Sequence, residues 1–179
     1  MKRSRIVLFI IVLLVFLSGA LVYFWRQNIV TNVSTSSQFG RLMSFSYPSS
    51  WVVDSDPVGF PNVDPLRAQS VIFRSSPDAS PDLVFRFWDN PNGVNAQMWA
   101  KNAALEAQLN REPVTKKFGT LTFWLLPNAL GPVPSQTYLY LSFRNRILQI
   151  EIDPRHVSEN IKFDSLTEAT LISIRINDT

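Results

Sequence analysis

The sequence contains no cysteine among its 179 residues. This absence excludes disulfide bonds, thiolate metal ligands, a thiol nucleophile and a lipid-modified N-terminal cysteine. Glycine is also scarce, and neither a glycine-rich phosphate loop nor the G-x-S-x-G pattern of α/β-hydrolases occurs. A folded domain of this chain must therefore be held together by its hydrophobic core, for which 46% apolar residues are sufficient.

The surplus of basic charge is confined to the N-terminus. Lys2, Arg3 and Arg5 account for the whole excess of 17 basic over 14 acidic residues, and residues 27–179 carry a net charge of −1. Nucleic-acid-binding proteins need a broad basic surface. We therefore expect no nucleic-acid partner, and we interpret the basic tip as an orientation signal for membrane insertion.

One long hydrophobic run is present. Residues 6–25 contain no charged side chain, and as a helix they would span about 30 Å, the thickness of the bilayer hydrocarbon core. Tyr23 and Trp25 lie at the far end, where an aromatic belt is typical, and only Arg26 follows the run. The pattern predicts a single-pass transmembrane helix in the lipid bilayer, with a cytoplasmic N-terminus and an extracytoplasmic C-terminal domain.

A cleaved signal peptide is the alternative interpretation of this segment. Ser18, Gly19 and Ala20 would supply the small residues of a cleavage site after Ala20. The apolar run continues for five residues beyond Ala20, which favours the uncleaved anchor. The predicted organisation is a basic tip at 1–5, a transmembrane helix at 6–25, a polar linker at 26–38 and an α+β domain at 39–179.

Alternating apolar residues predict strands along the exported part of the chain. These lie at 42–47, 51–53, 70–74, 83–88, 114–117, 121–126, 136–143 and 146–153, with a turn at 118–120. Tyr138 and Tyr140 share one face of their strand. The strands at 83–88 and 138–143 are apolar on both faces, which predicts a sheet covered on both sides.

Two helices are predicted in this domain. Helix formers fill 95–110, with Met98, Leu105 and Leu109 on its apolar face. A capping box beginning at Ser165 predicts a helix over 164–174, although 171–176 also alternates like a strand. The element order predicts an α+β fold, with a mainly antiparallel sheet of about six strands covered by helices on both faces.

The segment from Phe45 to Trp51, FSYPSSW, opens the domain with an aromatic-x-Tyr-Pro-x-x-Trp pattern. Together with a following helix, a hairpin and a C-terminal helix, this pattern resembles the PsbP-like superfamily, which includes PsbP, Mog-type and bacterial exported proteins. The resemblance covers 39–176. It implies an antiparallel sheet between helices and a binding or assembly role without a shared catalytic site. The alternative is that Trp51 is simply a core residue.

Few residues offer catalytic or metal-binding chemistry. His156 is the single histidine, and in a loop after a strand it is expected to be solvated. The carboxylate pairs Asp54/Asp56 and Glu151/Asp153 have i, i+2 spacing, but two carboxylates make a poor cation site. We predict no catalytic residue, no metal and no cofactor.

The aromatic residues Trp88, Trp99, Phe123 and Trp124 are the candidates for partner binding. Neighbouring residues of a strand point to opposite faces, so Phe123 and Trp124 cannot share a surface. Burial under helices is the alternative for both. We expect a non-catalytic accessory module docking a membrane-associated protein, with a small-ligand or lipid-binding protein as the alternative, its cavity between sheet and helix near Trp99. A carboxylate-dependent hydrolase is the third hypothesis.

Overall fold

A computed structural model describes residues 12–20, 29–31, 43–54, 69–109, 111–127, 136–158 and 160–177. The helices are α1 (residues 12–20), α2 (Ala96–Glu106) and α3 (Ser165–Ser173), with a 3-10 turn at Pro154–His156. The strands are β1 (Ile29–Thr31), β2 (Met43–Ser44), β3 (Ser46–Pro48), β4 (Val52–Asp54), β5 (Gln69–Arg74), β6 (Leu83–Asp89), β7 (Val114–Phe118), β8 (Leu121–Leu126), β9 (Thr137–Phe143), β10 (Arg146–Ile152) and β11 (Arg175–Ile176).

The main sheet has seven strands in the order β4-β5-β6-β10-β9-β8-β7, and every neighbouring pair is antiparallel. Two small pairs, β1-β3 and β2-β11, accompany it. The predicted α+β class and antiparallel sheet are confirmed, with seven strands where the sequence predicted about six.

Two tight turns set the register of the hairpins. Arg144 and Asn145 join β9 to β10, and Arg144 adopts a left-handed φ of 50°. Gly119 and Thr120 join β7 to β8. Gly119 has a φ of 57°, and a Cβ there would lie 2.8 Å from the carbonyl oxygen of Ile172, so both the conformation and the close approach require glycine.

Alternate residues of the strands bury two hydrophobic clusters on opposite faces of the sheet. On one face, Phe73, Phe85 and Leu139 pack against Leu171 of α3, together with Phe45, Tyr47 and Trp51 of the FSYPSSW segment. Phe45 and Trp51 are therefore buried core residues, and Tyr47 packs against the core while partly exposed. The smaller cluster on the other face lies under α2, which packs on β8 and β9.

The buried face of α2 differs from the prediction. Ala96, Ala100 and Ala104 are buried against the sheet, while Met98 and Leu105 are 49% and 74% exposed. Alanine has no atoms beyond Cβ, so an alanine face lets the helix lie close to a sheet surface that already carries large rings.

This helix also ends earlier than the predicted residue 110. Gln108 takes a left-handed φ of 53°, and the amides of Gln108 and Leu109 donate to the carbonyls of Leu105 and Ala104, which is a Schellman motif. The predicted helix near the C-terminus is confirmed. Its N-cap is Asp164, one residue before the predicted capping box.

The predicted transmembrane segment is described only over 12–20, which is helical. The other residues of 6–25 lie outside the described residues. Within the described ranges, no helix is long and apolar enough to cross a membrane. The transmembrane helix therefore stays a prediction.

Candidate functional site

A groove of about 560 Å³ lies between α2 and the sheet. Its walls are Trp88, Trp99, Asn102, Ala103, Glu106, Ala107, Tyr138, Tyr140 and Gln149. The volume lies within the range of about 300–1,000 Å³ that is typical of ligand pockets. The alternative hypothesis from the sequence, a cavity between sheet and helix near Trp99, thus has a counterpart in the structure.

Strand register brings the sheet side of this groove together. Gln149 of β10 lies directly opposite Arg86 of β6 on one side and Tyr140 of β9 on the other. Tyr138 and Trp88 are two residues from Tyr140 and Arg86 along their strands, so they share this face. The predicted common face of Tyr138 and Tyr140 is confirmed.

Hydrogen bonds and ring contacts fix two of the aromatic walls. The Trp88 indole Nε1 donates to Gln149 Oε1 at 2.6 Å, and the Tyr138 hydroxyl donates to Gln136 Oε1 at 3.0 Å. The Trp88 and Trp99 rings are tilted by 35° with centroids 6.2 Å apart. This contact ties the sheet side of the groove to the helix side.

Two polar groups of the groove remain without a protein partner. Tyr140 is only 3% exposed, yet in the part of the chain that the structure describes its hydroxyl makes no hydrogen bond. The half-buried Trp99 also has an unpaired donor, because its indole N–H has no acceptor among the described residues. Within the described residues, Thr167 Oγ1 is the buried side-chain atom that lacks a partner, so the Tyr140 hydroxyl and the Trp99 N–H are open to solvent in the groove. A ligand that displaces water from the groove would have to accept from them.

The phenols of the groove are neutral donors at physiological pH. Burial is the main cause that raises the pKa of both Tyr138 and Tyr140 above the ordinary value of 10.0, and the Glu151 carboxylate adds to it. Glu151 forms an ion pair with Arg86, and both side chains are almost covered. Besides the tyrosines, the exposed Glu106 is the ionisable side chain that the described residues contribute to the groove wall.

The four predicted partner-binding aromatics are distributed over both faces of the sheet. Trp88 and Trp99 line the groove. Trp124 lies opposite Tyr140 and packs half-buried on the cluster under α2, whereas Phe123 is fully buried in the larger core on the other face. Phe123 therefore offers no surface to a partner.

A second polar cluster surrounds His156. Its Nε2 lies 2.8 Å from Asp82 Oδ1, and its Nδ1 contacts Asp164 Oδ2. Asp82, which is 1% exposed, also accepts from the Ser75 amide and from Arg155 at 3.0 Å. The expectation of a solvated histidine is wrong, because the tertiary fold places two carboxylates against the ring.

The electrostatics of this cluster favour a charged histidine. Burial lowers the pKa of His156, but the hydrogen bonds to Asp82 and Asp164 raise it by more, so the net pKa lies above 6.5. Each ring nitrogen lies against a carboxylate oxygen, Nε2 against Asp82 and Nδ1 against Asp164. With both nitrogens occupied, His156 has none free to accept a proton from a substrate.

The two carboxylates of the predicted pair Glu151/Asp153 bind different arginines. Glu151 pairs with Arg86, while Asp153 caps the 3-10 turn and accepts from Arg155 Nε at 2.8 Å. Asp54 is described, but Asp56 lies outside the described residues. Over the described ranges, no group of three or more histidine, aspartate or glutamate side chains is arranged to hold a metal ion.

Sequence reasoning missed most members of both sites. Asp82, Arg155 and Asp164 carry no motif that connects them to His156, and the contact between Asp82 and His156 joins residues 74 positions apart. For the groove, the alternation that puts Tyr138 and Tyr140 on one face was the available signal. The pairing of β6 with β10, which adds Trp88 and Gln149, has no local signature.

Comparison with known proteins assigns this chain to no family. No protein-family model and no curated protein matches the chain. A crystal structure of a Bacteroides thetaiotaomicron protein, whose title names no function, matches with a TM-score of 0.41 and 16% sequence identity. The match covers 75% of this chain and 45% of that one, so this chain spans less than half of its length. The PsbP-like resemblance stays a prediction.

Proposed function

We propose that this chain is a membrane-tethered, extracytoplasmic binding protein, and that the groove between α2 and the sheet is its binding element. The observation that carries the proposal is the groove walled by Trp88 and Trp99, in which the hydroxyl of the largely buried Tyr140 has no partner among the described residues. A concave site with aromatic walls and a few polar groups is typical of ligand binding.

A binding role accounts for these observations better than the hydrolase hypothesis does. The residues that would perform acid–base chemistry, Glu151, Asp153 and His156, are each engaged by a charged partner. A general base needs a lone pair directed at the substrate. The groove, by contrast, presents ring faces together with donors that have no acceptor in the part of the chain that the structure describes.

The tether is supported by the surface of α1. The apolar residues 12–17 of this helix are each 49–79% exposed in the described structure. A continuous exposed apolar surface of this kind requires a cover, and the uncharged run of 6–25 fits the interior of a bilayer. The basic residues before the run support a cytoplasmic N-terminus and an exported domain.

Docking to a membrane-associated protein is the second candidate, and it is the role that the PsbP-like resemblance implies. The observation that favours it is the outer face of α2, where Met98 and Leu105 are exposed seven residues apart. Residues at i and i+7 lie on the same side of a helix, so the two form one apolar strip beside the groove.

Two variants of the full-length chain separate these roles. Native mass spectrometry of the chain released from gently solubilised membranes would detect a bound small molecule, and co-purification would detect a protein. We expect Trp99→Ala to lose the small molecule while Leu105→Ala retains it. Loss of a co-purifying protein in Leu105→Ala alone would favour docking. Binding that is unaffected by either variant would contradict both roles of this helix.

A further inference from the structure

We infer that the groove binds a carbohydrate, an inference that rests on the proposed function of the groove as the binding element. The argument combines three properties of the wall: exposed aromatic faces, unpaired hydrogen-bond donors and nearby acceptors. Each property excludes some classes of ligand, and sugars fit all three.

The aromatic faces come from Trp88 and Trp99. Both side chains are half-buried, and their tilted pair leaves ring surface at the groove wall. A pyranose ring presents an axial C–H face that packs against an indole face, because those hydrogens carry partial positive charge and the ring face is negative. Tyr138 and Tyr140 extend the same wall.

The polar groups exclude simpler ligands. The Tyr140 hydroxyl and the Trp99 indole N–H need an acceptor, since neither has a partner in the described part of the chain. A hydrocarbon chain would leave both donors unpaired. A quaternary ammonium ion or a lysine ammonium would suit the ring faces, but it has no acceptor to offer these donors.

Sugar hydroxyls satisfy both sides of the groove. A hydroxyl accepts from Tyr140 or Trp99 and donates to the Glu106 carboxylate or the Asn102 amide oxygen on the α2 side. Among the described residues, the wall contains no basic side chain, which disfavours a phosphorylated or otherwise anionic ligand. A neutral saccharide is therefore the ligand class that the lining favours.

The test uses the full-length chain in a polyoxyethylene detergent, because sugar-headed detergents would compete for the site. Soluble gluco-oligosaccharides with α- and β-linkages and N-acetylglucosamine oligomers are titrated by calorimetry and by tryptophan fluorescence. We expect at least one series to bind saturably. Trp99→Ala should weaken its binding by more than tenfold and Tyr140→Phe by about tenfold. Leu166→Ala, which removes an exposed side chain of α3 on the other face of the sheet, should bind like the parent chain.

The result that overturns the inference is distinguishable from one that overturns the proposed function. If no saccharide binds, but choline, a fatty acid or a retained molecule is lost in Trp99→Ala, the ligand class is wrong and the groove remains the binding element. If saccharides bind equally well to the parent chain, Trp99→Ala and Tyr140→Phe, the groove is not their site. If nothing binds the folded chain, both proposals fail.

Discussion

The groove beside α2 and the cluster around His156 are built from the same kinds of contact but reach opposite outcomes. In the His156 cluster, Asp82 pairs with Arg155, and Asp82 and Asp164 each contact one ring nitrogen of His156. In the groove, Tyr140 and Trp99 keep donors without an acceptor among the described residues. Both sites join distant parts of the chain, so distance along the sequence does not distinguish them.

The difference shows how hydrogen-bond accounting separates a structural site from a binding site. The His156 cluster contains the histidine, which was a candidate catalytic residue in the sequence. Its ring nitrogens are engaged by Asp82 and Asp164, so the cluster links α3 to the sheet. A satisfied polar network stabilises a fold, whereas unpaired donors at a concave surface are compensated only by water or a ligand. The variants below test this contrast, beginning with the largest expected effect.

Replacing Asp82 with alanine should give the largest effect on stability. Asp82 is buried and accepts from Ser75, Arg155 and His156, so its removal leaves charged donors without their acceptor. We expect a loss of about 3–5 kcal/mol in the free energy of unfolding, measured by urea denaturation. Asp78→Ala in the same turn, where the side chain is exposed, is the control and should change stability by less than about 0.5 kcal/mol. Equal effects would contradict the closed cluster.

His156→Gln should remove a pH dependence together with about 2 kcal/mol of stability. Because the folded pKa of His156 is raised above 6.5, its contribution is complete below pH 6.5 and is lost as the pH rises through the folded pKa. The parent chain should therefore lose stability on the alkaline side of neutral, and the variant should show a flatter profile in urea titrations between pH 6 and 9. A parallel decline in both chains would exclude His156 as the cause.

The acidic side of the same profile depends on Asp164. Burial raises its pKa, but the Thr167 amide and His156 lower it by more, so the folded pKa lies below 3.8. Its contribution is present above pH 3.8 and is lost as the pH falls through the folded pKa. Together with His156, this predicts that the cluster is fully stabilising between pH 3.8 and 6.5.

Ala100→Leu tests the contact between α2 and the sheet, which positions the helix side of the groove. Ala100 is fully buried where α2 meets the sheet, so three additional carbon atoms should overpack the interface and cost about 1–3 kcal/mol. Thermal unfolding followed by circular dichroism provides the measurement. Leu105→Ala, which removes an exposed side chain from the same helix, should have almost no effect. The reverse order of the two effects would support the helix face predicted from the sequence.

Tyr140→Phe should have the smallest effect on stability. The hydroxyl has no protein partner in the described part of the chain, so its removal breaks no internal hydrogen bond, and the unfolding free energy should change by less than about 0.5 kcal/mol. The same variant should lose ligand affinity, as the carbohydrate inference requires. A loss of more than 1 kcal/mol in urea denaturation would show that the hydroxyl has a structural partner.

Local signals in the sequence were sufficient for much of the fold. The hairpin of β9 and β10 and the helix α3 are encoded by a short turn and by a cap within a few residues of each element. The predicted buried face of α2 was wrong because the prediction chose Met98 and Leu105, which are more hydrophobic than the alanines that are buried. Hydrophobicity ranks side chains by transfer free energy, while a close helix–sheet contact selects them by size.

The candidate site could be predicted only in part, for a similar reason. Trp88 and Trp99 were selected as unusual aromatic residues, and they do line the groove. Trp124 and Phe123 were selected on the same grounds, and they lie on opposite faces of β8. Whether an aromatic side chain meets solvent depends on what covers its face of the sheet, and no pattern within one strand records this.

The sequence determined the α+β class, the antiparallel hairpins and the placement of an uncharged run before a nearly neutral domain, because turn chemistry, alternation and charge act between near neighbours. Tertiary structure alone decided that β10 lies between β6 and β9, that alanines carry α2 onto the sheet, and that His156 is clamped by two aspartates. Those outcomes depend on contacts between residues tens of positions apart, whose energies arise only when the strands are already paired.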